Sequence, residues 1–324
     1  MADMVKAVNN HIEINQTEKL ETRKTAWLID SSIYVFKAWY TRPDDLVDID
    51  GKPINAVLGF IDFVYRLLTV EQPRLIAFAF DESLQTSHRK EIYPDYKANR
   101  SPAPESLRYQ FKLCRKFIHS LGIYEDASLH YEADDLIGTW AKTLREHSIS
   151  VNFITADKDL AQLVHEHDHW WEYERGEKLN TKKITKRFKA KPYQIADQLA
   201  LAGDKSDNIP GVPYVGMSTA GKLLRRFDNI DNLLNSIPEI SSMQIRGAVR
   251  IQGLIEEHKE TIKLSRQLTQ IQCDIESVDV NSFQIKQKNQ NDFLALCSQL
   301  QFNDKTQLKW MTLVQTLNPT RGYE

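Results

Sequence analysis

TAWLID (25–30) is a short apolar run that ends in an aspartate, and the same pattern returns as RLIAFAFD (74–81) and VNFITAD (151–157). A short apolar run bounded by polar residues suits a strand buried on both faces. Between these runs the periodicity changes. Pro53 opens a helical pattern through Val70, with Val57, Phe60, Ile61, Val64, Leu67 and Leu68 on one face. Ser106 to Leu121 repeats that spacing, Glu132-Ala-Asp-Asp135 opens a helix reaching about His147, and KDLAQLV (158–164) continues as a short helix. Strands alternating with helices specify an α/β fold with a largely parallel central sheet flanked by helices.

The bulk numbers agree. Of 324 residues, 41% are hydrophobic and 27% charged, a globular balance that excludes disordered and fibrous classes. The longest apolar stretch, Leu75 to Phe80, is far too short for a bilayer, and the polar start of the chain does not suit a secretion signal, so a cytoplasmic protein with no membrane contact is expected. Cys114, Cys273 and Cys297 form no CxxC pair and read as reduced thiols. Residues 1–24 read as a loose leader and 25–180 as the α/β core. Within the core, 82–105 is polar, basic and aromatic. From a soft boundary at the basic stretch near Lys178, residues 181–324 read as helical.

Asp30, Asp81 and Asp157 each close one of the apolar runs. In open α/β sheets the functional crevice lies beyond the carboxyl ends of the strands, so the three can converge on one pocket. Glu132, Asp134 and Asp135 open a helix, Asp159 follows Asp157, and Asp204 and Asp207 pair in the loop GDKSDN. Taken singly, such residues are ordinary helix caps or solvated loop acids. Together they crowd like charges whose repulsion is costly without cations. Oxygen ligands without His or Cys select Mg²⁺ or Mn²⁺. Two such ions, about 4 Å apart, activate water and stabilise the leaving oxygen of a phosphodiester. The net charge of −2 becomes +7 once these nine acids are set aside, which permits a basic working face.

These residues lie in LIDSS (28–32), FAFDE (78–82), HRKEIYPDYKANR (88–100), YEADDLIG (131–138), TADKDLAQLV (155–164) and GDKSDNIPGVPYVGMSTAGKLL (203–224). In order and spacing the six blocks resemble the 5′ nuclease (flap endonuclease) family, above all the 5′→3′ exonuclease domain of bacterial DNA polymerase I. The resemblance runs from about Ala26 to the C-terminus, without the polymerase domains, and so implies a stand-alone nuclease. It further implies a PIN-like or resolvase-like core joined to a C-terminal helical domain of SAM-fold type. The implied substrates are DNA 5′ ends, flaps, nicks and gaps, with RNA-primer removal from RNA–DNA hybrids, and a monomer is expected.

By that resemblance Asp30, Asp81, Glu132 and Asp134 match ligands of a first metal, and Asp157, Asp159 and Asp207 those of a second. Asp135 and Asp204 match acids in the outer part of the same site, with Asp135 also expected among the ligands. Residues 82–105 resemble the family's arch, where Arg89, Lys97 and Arg100 fall on basic positions. Lys97 and Arg100 can neutralise the scissile phosphate and its neighbour; Tyr93 and Tyr96 serve either as stacking surfaces or in packing.

Gly211, Val212 and Gly216, followed by Thr219 and Lys222, resemble the helix–three-turn–helix near 203–224 that grips duplex DNA and in the family often holds K⁺. Tyr214 stands where a glycine is common, and Met217-Ser218 replaces a more polar pair. Lys37 replaces an arginine and loses the two-pronged phosphate contact. A PIN-type ribonuclease, which lacks the arch and the duplex-gripping element, and a DNA-junction binder, which would need no complete carboxylate set, are the competing readings.

Overall fold

The computed structural model describes residues 24–82, 86–287 and 290–317. Apart from Lys24, the expected leader lies outside them. Six strands form one sheet in the order β3-β2-β1-β4-β5-β6. They are β1 Thr25–Asp30, β2 Leu75–Asp81, β3 Tyr124–Ser128, β4 Ser150–Ile154, β5 His169–Glu172 and β6 Glu177–Leu179. All neighbours pair in parallel except β5 and β6. The apolar runs therefore became strands, but three further strands carry too few apolar residues to be read as such. YEDAS of β3 lies at the sheet edge and is only partly buried along its length.

Helices cover both faces. On one side lie α1 (Ser31–Thr41), α2 (Asn55–Glu71) and α4 (Glu105–Ser120), with the short α3 (His88–Ile92) between α2 and α4 in sequence. α2 begins two residues after Pro53, which instead pairs with Val47 as an isolated bridge. On the other side lies α5 (Ala133–Glu146). The strand alternation feeds both layers: Trp27, Ile29, Phe78 and Phe80 enter the first core, and Ala26, Leu28, Ala77 and Ala79 the second.

The chain steps outward from β1 to β2 and β3, then returns to the far side of β1 as β4. The order reverses between β1 and β4, and ligand crevices in such sheets open beyond the strand ends at that point.

The following elements are α6 (Thr181–Phe188), α7 (Ile195–Ala202), α8 (Met217–Phe227), α9 (Ile230–Asn235), α10 (Ala248–Glu257) and α11 (Lys259–Thr269). A third core joins α7 to α10, with Leu201, Val212, Leu223, Leu224 and Ile255 at its centre. Residues 271–285 then run back along the sheet, where Ile271 and Phe283 enter the second core.

The last helices, α12 (Gln290–Gln299) and α13 (Asp304–Leu317), correct the expectation of one helical domain to the end of the chain. Phe293, Leu296, Cys297 and Trp310 pack into the first core. Burying their apolar faces against α2 and α4 outweighs continuity in sequence.

Candidate active site

Asp30 and Asp81 are the last residues of β1 and β2. Thr155 Oγ1 donates to Asp30 Oδ2 at 2.9 Å. Ser32 Oγ donates to Asp81 Oδ2 at 2.9 Å, and the Ala133 N–H to Asp81 Oδ1 at 3.0 Å. Asp157 does not end a strand as expected: β4 stops at Ile154. The Asp157 N–H bonds Thr155 Oγ1 at 2.8 Å, and the Asp159 N–H bonds Asp157 Oδ1 at 2.8 Å. These local bonds satisfy the backbone in place of a strand ladder and turn the chain into a short 3-10 segment, Asp159–Leu163.

The acids gather at the switch point. Burial, then Asp81 and Asp157, push the Asp30 carboxyl up to about 8. Burial and the charges of Asp157, Asp30 and Asp81 hold Asp134 well above the carboxylate range. Asp159 is pushed up to about 8 by burial and Asp157, with Asp204 and Asp207 adding to it. Burial also raises Asp157. The hydrogen bonds from Thr155 to Asp30 and from the Ala133 amide to Asp81 bring these segments together, and the carboxylates then raise one another.

A basic lid tempers the cluster. Lys97 Nζ lies 2.9 Å from Glu132 Oε2 and 3.7 Å from Asp207. Burial would raise Glu132, but Lys97 and Arg89 hold it below its usual value. Arg100 pairs with Asp207, and Lys158 with Asp204 at 2.7 Å. Lys158 was missed by the sequence reading, although its place between Asp157 and Asp159 was a signal. The backbone of residues 95–97 is fastened to the 204–208 loop: the Lys97 N–H bonds the Asp207 carbonyl at 2.8 Å, and Asn208 Nδ2 bonds the Asp95 carbonyl at 2.7 Å.

Two expected roles need correction, and Tyr96 takes the packing one of its two readings. Asp135 is fully buried; Arg89 grips both its oxygens at 2.7 and 2.8 Å, and the Glu132 and Gln272 N–H groups bond them too. It has no lone pair facing the cluster. Arg89, 2% exposed, also bonds the Leu268 and Gln270 carbonyls, so its guanidinium is taken up in tying α3 to α5 and to the end of α11. Tyr96 is 2% exposed with its hydroxyl 3.1 Å from Glu132 Oε2 and 3.4 Å from Asp207 Oδ2, which rules out base stacking. Tyr93 is half-buried against the Tyr96, Ile209 and Leu268 cluster.

Glu132 Oε1 and Asp159 Oδ1 are buried without a hydrogen-bond partner among the described residues. Buried lone pairs of this kind call for a donor or a cation, and the all-oxygen set suits a hard divalent ion. Among the described residues no three such side chains already converge as a formed coordination shell; Lys97, Arg100 and Lys158 pair with the acids instead.

The hairpin 203–216 joins α7 to α8. A Cβ on Gly211 would lie 2.3 Å from the Gly203 nitrogen and 2.4 Å from the Ala202 carbonyl carbon, so only glycine fits. Gly216 caps α8 with open space around it. Val212 is buried in the third core, while on α8 Thr219 is half-buried and Lys222 exposed. Tyr214 takes the left-handed conformation, φ +66°, that a glycine adopts without cost. Lys37, exposed on α1, pairs with Glu174, which also meets Arg66 at 3.1 Å.

An acidic cluster at the switch point of a parallel sheet, under a basic segment and beside a helical hairpin, defines a phosphodiester-cleaving α/β protein. Residues 25–189 match the 5′-3′ exonuclease N-terminal resolvase-like domain and 190–291 the 5′-3′ exonuclease C-terminal SAM fold. The chain belongs to the 5′-3′ exonuclease family, and its activity is that of a 5′ nuclease.

It is 32% identical over 267 residues to a 5′-3′ exonuclease of Buchnera aphidicola (82% of this chain, 92% of that one), and 31% over 253 residues to one of Aquifex aeolicus (78% and 83%). It is 35% identical to DNA polymerase I of Bacillus caldotenax, covering 78% of this chain but 28% of that protein. The fold resembles T5 5′-exonuclease with bound zinc (TM-score 0.60, 16% identity, 91% and 99% coverage). It also resembles the catalytic core of Rad2 in complex with a DNA substrate (TM-score 0.60, 12% identity, 92% and 94% coverage). Among the described residues no helix is long and apolar enough to cross a membrane.

Proposed function

We propose that the chain is a metal-dependent, structure-selective nuclease that hydrolyses DNA at 5′ ends and 5′ flaps, including nicked, gapped and RNA-primed duplexes, as a cytoplasmic monomer. The observation that carries this reading is the set of carboxylates that hydrogen bonds between distant segments bring together under Lys97 and Arg100, with Glu132 Oε1 and Asp159 Oδ1 buried and unpartnered among the described residues. Asp30, Asp81, Glu132 and Asp134 would hold one divalent cation, and Asp157, Asp159 and Asp207 a second. Asp204 supports them from outside by holding Lys158. Mg²⁺ or Mn²⁺, when bound, would supply charge to activate water and stabilise the leaving oxygen.

The chain's own residues do the positioning. Lys97 and Arg100 place positive charge over the cluster, and a substrate phosphate would compete for them with Glu132 and Asp207. Residues 25–180, with the arch at 82–105, form the cutting unit; the segment after 181 grips duplex through the hairpin. The half-buried Thr219 in the first turn of α8 and the exposed Lys222 one turn further on, together with backbone amides at the helix start, suit phosphate oxygens without reading sequence. Because Tyr214 follows a glycine-like backbone path, a K⁺ held by main-chain oxygens remains compatible with the hairpin. Lys37 offers a further duplex contact from α1.

Sizing the products from end-labelled flap, nicked, blunt and RNA-primed substrates tests the reading. Cleavage should vanish in EDTA and return with Mg²⁺ or Mn²⁺. Cleavage that persists in chelator would overturn it.

A further inference from the structure

The hairpin carries a feature that the carboxylate chemistry does not use. Tyr214 is 74% exposed, yet its backbone is left-handed at φ +66°. A large side chain in that conformation is strained, and an exposed ring receives little packing in return. Over the ring lies Arg250 of α10, its guanidinium carbon 3.8 Å from the centroid. Among the described residues Arg250 has no acidic partner. Gly247, left-handed at φ +73°, caps the start of α10 and brings this helix up to the hairpin. Val249, beside Arg250, is also 74% exposed.

A guanidinium held over an aromatic face keeps N–H groups free for a further partner and loses little freedom on binding. A planar cation without a carboxylate partner, presented on the same surface as the phosphate-facing amides, matches a phosphodiester oxygen. We infer that Tyr214 and Arg250 form a second clamp on the duplex backbone: the ring holds the guanidinium, and the guanidinium takes a phosphate next to the one met by the hairpin. The ligand is double-stranded nucleic acid, recognised through its backbone and not its bases. This inference rests on the nuclease reading and deepens it. The clamp would hold the duplex and leave the chemical step untouched, so Tyr214 and Arg250 are positioning residues.

The test measures fluorescence anisotropy of a labelled 5′-flap duplex in Ca²⁺ across a salt series, for wild type, Arg250→Ala, Tyr214→Gly and Tyr214→Phe. Arg250→Ala should weaken binding about fivefold and lower the slope of log K against log salt by about 1. Tyr214→Gly should weaken binding in the same direction while raising thermal stability, since the strain is relieved. Tyr214→Phe should bind as wild type. KM for flap cleavage should rise in Arg250→Ala with kcat unchanged. Unchanged affinity and slope in both Arg250→Ala and Tyr214→Gly would overturn the clamp while leaving the nuclease reading intact. Failure of the wild type to bind the flap duplex would sink the nuclease reading, and the clamp with it.

Discussion

Replacing Asp30 by Asn probes the carboxylate cluster through its electrostatics as well as its chemistry. Asp30 is 5% exposed, and burial beside Asp81 and Asp157 pushes its carboxyl from 3.8 up to about 8. The folded protein therefore holds this proton more tightly than the unfolded chain does. That stabilising contribution is complete below about pH 4 and drains away as the pH rises towards 8. The loss runs at about 1.4 kcal/mol per pH unit, or up to about 4 kcal/mol between pH 5 and pH 8.

Asn has nearly the same shape and cannot ionise. In EDTA, urea unfolding should show wild type losing stability with rising pH more steeply than Asp30→Asn, with the variant the more stable at pH 8. Excess Mg²⁺ should narrow that gap, because an ion bound only to the folded state stabilises it. Cleavage by the variant should be lost. Parallel pH–stability curves for the two proteins would refute the placement of Asp30 in a buried cluster of like charge.

Asp134→Asn should abolish cleavage while flap affinity stays within about twofold, because the duplex contacts lie on the hairpin; a filter-binding assay in which binding falls with activity would contradict that division. Arg89→Ala should destabilise the protein by roughly 3–5 kcal/mol, since it strands the fully buried Asp135 without its partner. Urea unfolding would check this, and a loss under about 1 kcal/mol would count against the buried pair. Gly211→Ala forces a Cβ to within 2.3 Å of backbone; it should cost about 1–3 kcal/mol and loosen the hairpin, seen as weaker duplex binding with unchanged metal dependence.

Much of this site was legible in the residues. Asp30 and Asp81 stand where the apolar runs TAWLID and RLIAFAFD stop, because strands buried on both faces must be apolar to their ends. Strands β3, β5 and β6 escaped notice: β3 is a half-buried edge, and β5 and β6 hold four and three residues. Asp157 lay beyond its strand because Thr155, polar and hydrogen-bonded, interrupts the run.

The amino-acid sequence by itself determined that the three apolar runs are buried and that Asp30 and Asp81 close two of them, since hydrophobic transfer is a property of each residue where it stands. Only the tertiary structure decided which acids share the cluster and which are taken by cations of the chain. Arg89 meets Asp135 across 46 residues and the Gln270 carbonyl across 181. Whether an acid faces a metal or a guanidinium depends on how distant segments pack, and no local pattern encodes that distance.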